Sequence, residues 1–198
     1  MTMYNQTPLI TKETAHGISS VSIADELLKS REIFLTEEVN PDTMNSILQQ
    51  LMYLNRENPD EEITLYINSP GGEVRSGLVV YDYLRLMRAP IRTVCVGTAA
   101  SMGAILFLAG NKREMFPHAQ LMIHDPAPGG GSMTGMKPAQ LEEHLRSLKK
   151  VQKILCDLIA KTSGQPVKKV LEKTQVDSFF DAQEAVDFGL ATSIIQSM

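Results

Sequence analysis

The stretch GTAASMGAIL, residues 97–106, is the most informative part of the sequence for the fold, and it contains a candidate reactive side chain, that of Ser101. A run of strand-forming residues at 92–96 precedes it, and an apolar pattern of helical spacing follows it to about residue 109. This order places Ser101 at the first turn of a helix that directly follows a strand. Backbone N–H groups are unpaired at such a turn and the helix dipole is positive there, so a serine lies beside donors for a developing oxyanion.

Outward from this stretch, strands and helices alternate, which is typical of an α/β fold. Residues 1–20 are polar and predicted to be flexible, and residues 126–135, with three consecutive glycines, are predicted to form a flexible loop or an irregular edge strand. Strands are predicted at 32–35, 63–68, 92–96, 114–116 and 121–123, and helices at 25–30, 40–55, 74–87, 101–109, 138–161, 165–173 and 181–189.

Composition narrows the function classes. The 198 residues are 43% hydrophobic and contain no linker long enough to separate two domains, so one domain over 1–198 is predicted. A net charge of −4 and no basic block argue against nucleic acid as a partner. No apolar run approaches the roughly 20 residues that span a bilayer, residues 1–17 do not resemble a secretory signal, and the two cysteines lack metal-ligand spacing. A reduced, cytoplasmic protein with no membrane partner is expected.

A serine nucleophile requires a base, and four histidines are candidates. His16 lies in the polar N-terminal segment, His118 in a turn and His144 on the solvent side of the longest helix. His124 ends the apolar strand at 121–123, and catalytic groups in α/β sheets typically lie at strand ends. His124 is therefore the preferred base.

Three aspartates could orient that histidine. Asp125 is adjacent to His124 and is badly placed to face its ring. Asp181 has the spacing of a helix cap with Glu184. Asp177, before Phe179-Phe180, is only modestly favoured by the sequence alone.

The glycines at 71–72 follow a strand and have two interpretations. They could simply turn the chain, as most glycine pairs do. Alternatively, Gly72 could present its N–H beside Ser101 and complete an oxyanion hole with the N–H of Met102. The GxSxG elbow, Walker-type loops and HExxH are absent.

Together these residues resemble the family of proteolytic subunits of the Clp protease. The resemblance extends from about Pro8 to Ile195. It rests on four segments: the Ser-Pro-Gly-Gly turn that ends residues 63–72, the serine motif at 97–104, the histidine motif at 121–126 and the aspartate segment at 176–190.

The resemblance implies a role for each matching residue. Ser101 would be the nucleophile, His124 the general base and acid, and Asp177 the residue that orients His124. The N–H groups of Gly72 and Met102 would bind the oxyanion. Backbone around Val74 and Ala127 would pair with an extended peptide substrate.

The resemblance also implies a fold and an assembly. The fold would be a crotonase-like ββα spiral with a protruding handle at about 127–162, and residues 1–20 would form an axial segment. Two stacked heptameric rings of this chain or a paralogue would enclose the sites as a tetradecamer. An AAA+ unfoldase of the ClpX, ClpA or ClpC type would use ATP and deliver unfolded polypeptides, partly through a pocket at Tyr66. This subunit itself would need no cofactor.

Three departures from the family pattern point to a divergent second isoform. Asp125 stands where the family usually has Gln, the glycine-rich loop is about four residues longer, and Gln175-Val176 replaces an acidic residue followed by Arg. In the family that arginine couples the two rings and aligns the triad. A weak or partner-dependent barrel is therefore expected when the chain is alone.

Two other functions compete with a serine endopeptidase. A catalytically silent scaffold subunit would explain the missing arginine, but the chain retains Ser101, His124 and Asp177. A crotonase-type acyl-CoA enzyme would explain the glycines, but it gives no role to a Ser-His-Asp set, and the chain has no obvious basic cluster for CoA.

Overall fold

The computed structural model describes residues 9–14, 17–127 and 135–197. Its first element is an antiparallel hairpin of β1 (Leu9–Thr14) and β2 (Gly17–Ser22). The sequence does not predict this hairpin, because its strands are polar and mostly exposed and so lack an apolar alternation. The prediction made for the glycines at 129–131 lies outside the described residues.

Most remaining strands form one mixed sheet. Its parallel strands follow the order β3-β4-β5-β6-β9, and the far half of β5 also pairs in parallel with β7. β8 then adds to β7 in the antiparallel direction. The strands are β3 (Glu32–Leu35), β4 (Ile63–Ser69), β5 (Ile91–Ala100), β6 (Lys112–Met115), β7 (Gln120–Ile123), β8 (Ser178–Phe180) and β9 (Ser193–Ile194).

Helices fill most of the connections between these strands, and the β6–β7 connection is a short turn; the predicted α/β class is confirmed. Local signals set several of their starts. Asn40 and Thr43 form a capping box with Pro41 at the first turn, and Asp181 and Glu184 form another. The helices are α1 (Ile23–Lys29), α2 (Pro41–Glu57), α3 (Val74–Leu86), α4 (Met102–Phe107), α5 (Pro138–Ser163), α6 (Val167–Thr174) and α7 (Ala182–Phe188).

The core lies between the sheet and the helices packed on it. Every residue of α4 is buried, so this short helix runs through the centre of the molecule. Helix α5 behaves differently, because its buried residues all lie in its second half, from Leu155 to Ala160. Fully buried apolar side chains come from neighbouring elements: Leu51, Leu54, Leu65, Ile67, Ile91, Leu106 and Phe107.

A bulge in β5 carries the strand to the reactive serine. Ile67 pairs with Cys95, but two residues later Ser69 pairs with Ala99, so β5 contains two extra residues. The side chain of Asn68 fills this gap and accepts a hydrogen bond from the Thr98 N–H at 2.9 Å. The strand predicted at 92–96 therefore continues to Ala100.

Within the described ranges, none of the helices combines the length and the apolar character needed to cross a bilayer.

Candidate active site

Ser101 occupies the junction between β5 and α4 in a strained conformation. Its φ is 53° and its ψ −118°, angles that residues other than glycine rarely adopt. Its N–H donates to the carbonyl of Met122 at 2.9 Å, and its carbonyl accepts from the N–H groups of Ala104 and Ile105. These bonds fix the backbone on both sides of the side chain. The predicted position of Ser101, at a strand end and a helix start, is confirmed.

His124 follows β7, the parallel neighbour of the far half of β5. Its Nε2 lies 2.8 Å from the hydroxyl oxygen of Ser101, which is hydrogen-bond distance. The structure therefore brings the predicted nucleophile and the predicted base together. The other histidines lie elsewhere: His118 is exposed in a turn, His144 is on α5, and His16 is outside the described residues.

Asp177 lies beside His124 because of the pairing of two strands. Ile123 of β7 pairs with Ser178 of β8, so His124 and Asp177 are the next residues along that antiparallel pair. His124 Nδ1 and Asp177 Oδ1 are 3.4 Å apart. The Asp177 side chain is 64% exposed and that of His124 27% exposed, so water reaches this pair from the outer side.

The two other aspartates have different partners. Asp181 caps α7, as its spacing predicts, because its Oδ1 accepts from the Glu184 N–H at 2.8 Å. Asp125 Oδ2 accepts a hydrogen bond from Gln152 Nε2 at 2.6 Å. Of the three candidates, Asp177 is the one that lies against His124 in the structure.

The glycine turn packs directly on Ser101. Gly71 has a φ of +89°, and a Cβ atom built on it would lie 2.7 Å from Ser101 Cβ and 2.8 Å from Met102 N. The outer side of the turn is held by Val39, whose N–H donates to Gly71 O while its carbonyl accepts from Glu73 N. Only a residue without a side chain allows this close approach.

Two backbone donors at this turn are unpaired. Among the residues described, the N–H groups of Gly72 and Met102 have no hydrogen-bond acceptor. Unpaired amides beside a nucleophile are suited to an incoming carbonyl oxygen. This arrangement fits the role expected for both residues.

A small cavity with mainly apolar walls adjoins the Ser101–His124 pair. Val74, at the start of α3, is one of its walls, so one of the two predicted substrate-binding positions lies at the site. Ala127, the other, is exposed at the end of a described range, next to Pro126 of the cavity wall. The remaining apolar walls are Met102, Ile105, Ile123, Leu155 and Ile159.

The two cysteines are not prepared for nucleophilic chemistry. Burial raises the pKa of the Cys95 thiol to about 11, and burial also raises the pKa of Cys156. A buried thiol of raised pKa is protonated and unreactive at neutral pH. Both cysteines are free and buried, and neither is among the described residues that contact His124.

Two features of the site escape prediction from the sequence. The strand β8 is only three residues long, and the strand-favouring pair Phe179-Phe180 is its sole local signal. The contact between Asp125 and Gln152 joins residues 27 positions apart and has no local signal.

Comparison with known protein families gives one match that covers nearly the whole chain. A family model described as Clp protease matches residues 15–198, a range that contains every residue of the site described above.

Proposed function

The chain belongs to the Clp protease family, and on that premise we propose that it is the serine endopeptidase subunit of an ATP-dependent Clp-type protease. Family membership makes it a Clp-type peptidase subunit, and so a hydrolase. The observation that carries the serine mechanism is the 2.8 Å contact between His124 Nε2 and Ser101 Oγ, with Asp177 on the opposite ring nitrogen.

The proposed reaction is acyl transfer to serine. Ser101 attacks the peptide carbonyl while His124 accepts its proton, and the N–H groups of Gly72 and Met102 donate to the oxyanion. His124 then protonates the leaving amine. In the second half-reaction, water attacks the acyl-enzyme while His124 accepts the water proton, and His124 then returns a proton to the departing Ser101 oxygen. Asp177 keeps the His124 ring in the required tautomer and orientation throughout.

The substrate in this proposal is an extended, unfolded polypeptide. It would pair with backbone around Val74 and Ala127, and the apolar cavity beside Ser101 favours an apolar side chain at the cleaved bond. This subunit would use no cofactor, so we expect EDTA to leave hydrolysis unchanged.

The proposed architecture is a single peptidase domain with a crotonase-like spiral, α5 as the core of the handle and residues 1–20 as the axial segment. Two heptameric rings of this chain or a paralogue would stack in the cytoplasm and work with an AAA+ unfoldase. The exposed Leu141 and Leu145 on α5 support a ring contact. The stacked rings of Phe34 and Tyr66 support an apolar docking pocket.

A partner-dependent subunit is the alternative, and one observation favours it. Gln175 and Val176 stand where the family has an acidic residue and Arg, and Val176 is 64% exposed. The position therefore offers no cation for a partner ring, and assembly by this chain alone would be weak.

Hydrolysis of a short fluorogenic peptide tests the proposal. We expect turnover by the purified chain, or by its mixture with a typical paralogue, that Ser101→Ala abolishes together with fluorophosphonate labelling. Asp177→Asn should lower kcat by about 10²- to 10⁴-fold, because the histidine loses its fixed tautomer. Strong labelling of the Ser101→Ala protein would refute the assignment. If Ser101→Ala leaves the turnover of the mixture with a paralogue unchanged, this chain is a catalytically silent subunit.

A further inference from the structure

Asp125 makes two contacts that the mechanism above does not use. Its backbone N–H donates to the carbonyl of Thr174 at 2.7 Å, and its Oδ2 accepts from Gln152 Nε2 at 2.6 Å. One residue therefore holds the loop after β7 against both α6 and α5. A charge-assisted hydrogen bond of this length is among the stronger ones in proteins.

Both contacts lead to the reacting groups. His124 is the residue directly before Asp125. Thr174 ends α6 three residues before Asp177, so the segment that carries the aspartate begins at a point bonded to Asp125. The two sides of the 3.4 Å His124–Asp177 contact are thus joined through the backbone of Asp125.

The second oxygen of this carboxylate indicates that the position is not a simple packing site. Asp125 Oδ1 is inaccessible to solvent and has no hydrogen-bond partner among the described residues. A buried acceptor without a donor costs folding free energy, and an apolar side chain would avoid that cost. A position that keeps such a group calls for an explanation.

We infer that Asp125 is a positioning residue, which uses its bond to Gln152 to hold His124 at the distance from Ser101 and Asp177 that proton transfer requires. The inference rests on the proposed serine mechanism. It makes the position of helix α5 a determinant of the turnover rate, because Gln152 moves with that helix. Displacement of a catalytic group by about 1 Å is enough to slow an enzyme about 100-fold.

A double-mutant cycle tests the contact in the assembly that shows Ser101-dependent turnover. We expect Asp125→Ala and Gln152→Ala each to lower kcat about 10- to 100-fold, and the double variant to be no slower than the slower single one. Lys153→Ala, an exposed neighbour on α5, should retain the wild-type kcat.

The exchange variant Asp125→Asn with Gln152→Glu separates positioning from general folding. The asparagine N–H₂ would donate to the glutamate, so the hydrogen bond returns with donor and acceptor reversed and the net charge unchanged. We expect its kcat to return to within about threefold of wild type, and its rate of fluorophosphonate labelling to recover with it. If Asp125→Ala does not fold, the Gln152→Ala and exchange variants still decide the matter.

Several results would overturn the inference. It is wrong if both single variants keep the wild-type kcat, or if their losses add in the double variant. It is also wrong if the exchange variant does not recover, or if the loss of kcat follows a change in particle size. The serine mechanism itself would be refuted by a different result, namely no fluorophosphonate labelling of wild-type protein at Ser101. The two failures are therefore distinguishable.

Discussion

At the scale of single residues, Ser101 combines a proposed catalytic role with backbone strain. A conformation at φ 53° and ψ −118° costs an ordinary residue about 1–3 kcal/mol. The hydrogen bonds on either side of Ser101 hold it there, together with the glycine turn packed against its Cβ. The backbone conformation that places this hydroxyl against His124 therefore lowers the free energy of unfolding.

The strain can be measured with two inactive variants. We expect Ser101→Gly to be more stable than Ser101→Ala by about 1 kcal/mol, because glycine adopts positive φ without strain and alanine does not. Urea unfolding at neutral pH compares the two proteins without any contribution from the lost hydroxyl. Equal stability, or a less stable glycine variant, would show that the backbone at this position is relaxed.

Cys95 gives the protein a predictable weakness in alkali. Its pKa is raised by burial from 9.0 to about 11, so the unfolded chain loses the thiol proton before the folded protein does. The stability that this thiol contributes is complete below pH 9 and is lost as the pH rises towards 11. From pH 8 to pH 10.5 we expect the free energy of unfolding to fall about 2 kcal/mol more in wild type than in Cys95→Ala. Urea unfolding at the two pH values checks this, and equal falls would contradict it.

At the scale of elements, the site is distributed over three strands that are neighbours in one sheet. Ser101 follows β5, His124 follows β7, and Asp177 precedes β8. Because β5 pairs with β7 and β7 with β8, each of these candidate residues lies at the end of a strand that pairs with the next. The Gly71–Gly72 turn, which follows β4, packs against Ser101 next to these three strand ends.

Substitution in that turn should affect activity far more than stability alone explains. Gly71→Ala would place a methyl group against Ser101 and Met102, and we expect kcat to fall at least about 100-fold. Gly164→Ala is the matched control, because Gly164 also has a positive φ, +72°, but has no atoms within 4 Å of its added methyl group. Both variants should lose about 1 kcal/mol from backbone strain, and Gly71→Ala should lose more because its methyl group would overlap backbone atoms of residues 100 and 102. Similar kcat values for the two would show that the turn does not shape the site.

The sequence predicts the helices and the parallel strands well because capping residues, prolines and apolar periodicity are local signals. Asn40-Pro41 and Asp181–Glu184 mark helix starts in the sequence and in the structure alike. The ladder between β7 and β8 is long-range, so the residues alone favour Asp177 only slightly over its rivals. The bulge at Gly97 is similarly hidden, because it depends on Asn68, which lies on another strand.

At the scale of the whole molecule, helix α5 is buried along only part of its length. Its second half packs in the core, but Leu141 and Leu145 in its first half are exposed, with 52% of Leu145 accessible. Apolar side chains exposed four residues apart lie on the same face of a helix, which is suited to contact with a partner. In the proposed assembly that partner is the opposite ring.

A charge on this surface should weaken the assembly. We expect Leu145→Lys to shift sedimentation from two-ring particles towards single rings or smaller species, because the ammonium group would be buried without a partner. Ser147→Lys adds the same charge at an exposed polar position two residues away and should leave the distribution unchanged. The comparison is made alone or with a paralogue, under whichever condition gives two-ring particles. An unchanged profile for Leu145→Lys would place the ring contact elsewhere.

The pairing of β5, β7 and β8 has a consequence for how freely this sequence can vary. Main-chain hydrogen bonds are the same for almost every amino acid. The spacing of Ser101, His124 and Asp177 is therefore determined by the register of the paired strands more than by the identity of the residues between them. We expect substitutions of similar character at Met122 and Phe179 to leave the three candidate groups in place. Insertion or deletion of one residue in any of these strands would separate them. The proposed chemistry should therefore depend more on the length of these strands than on their solvent-facing side chains.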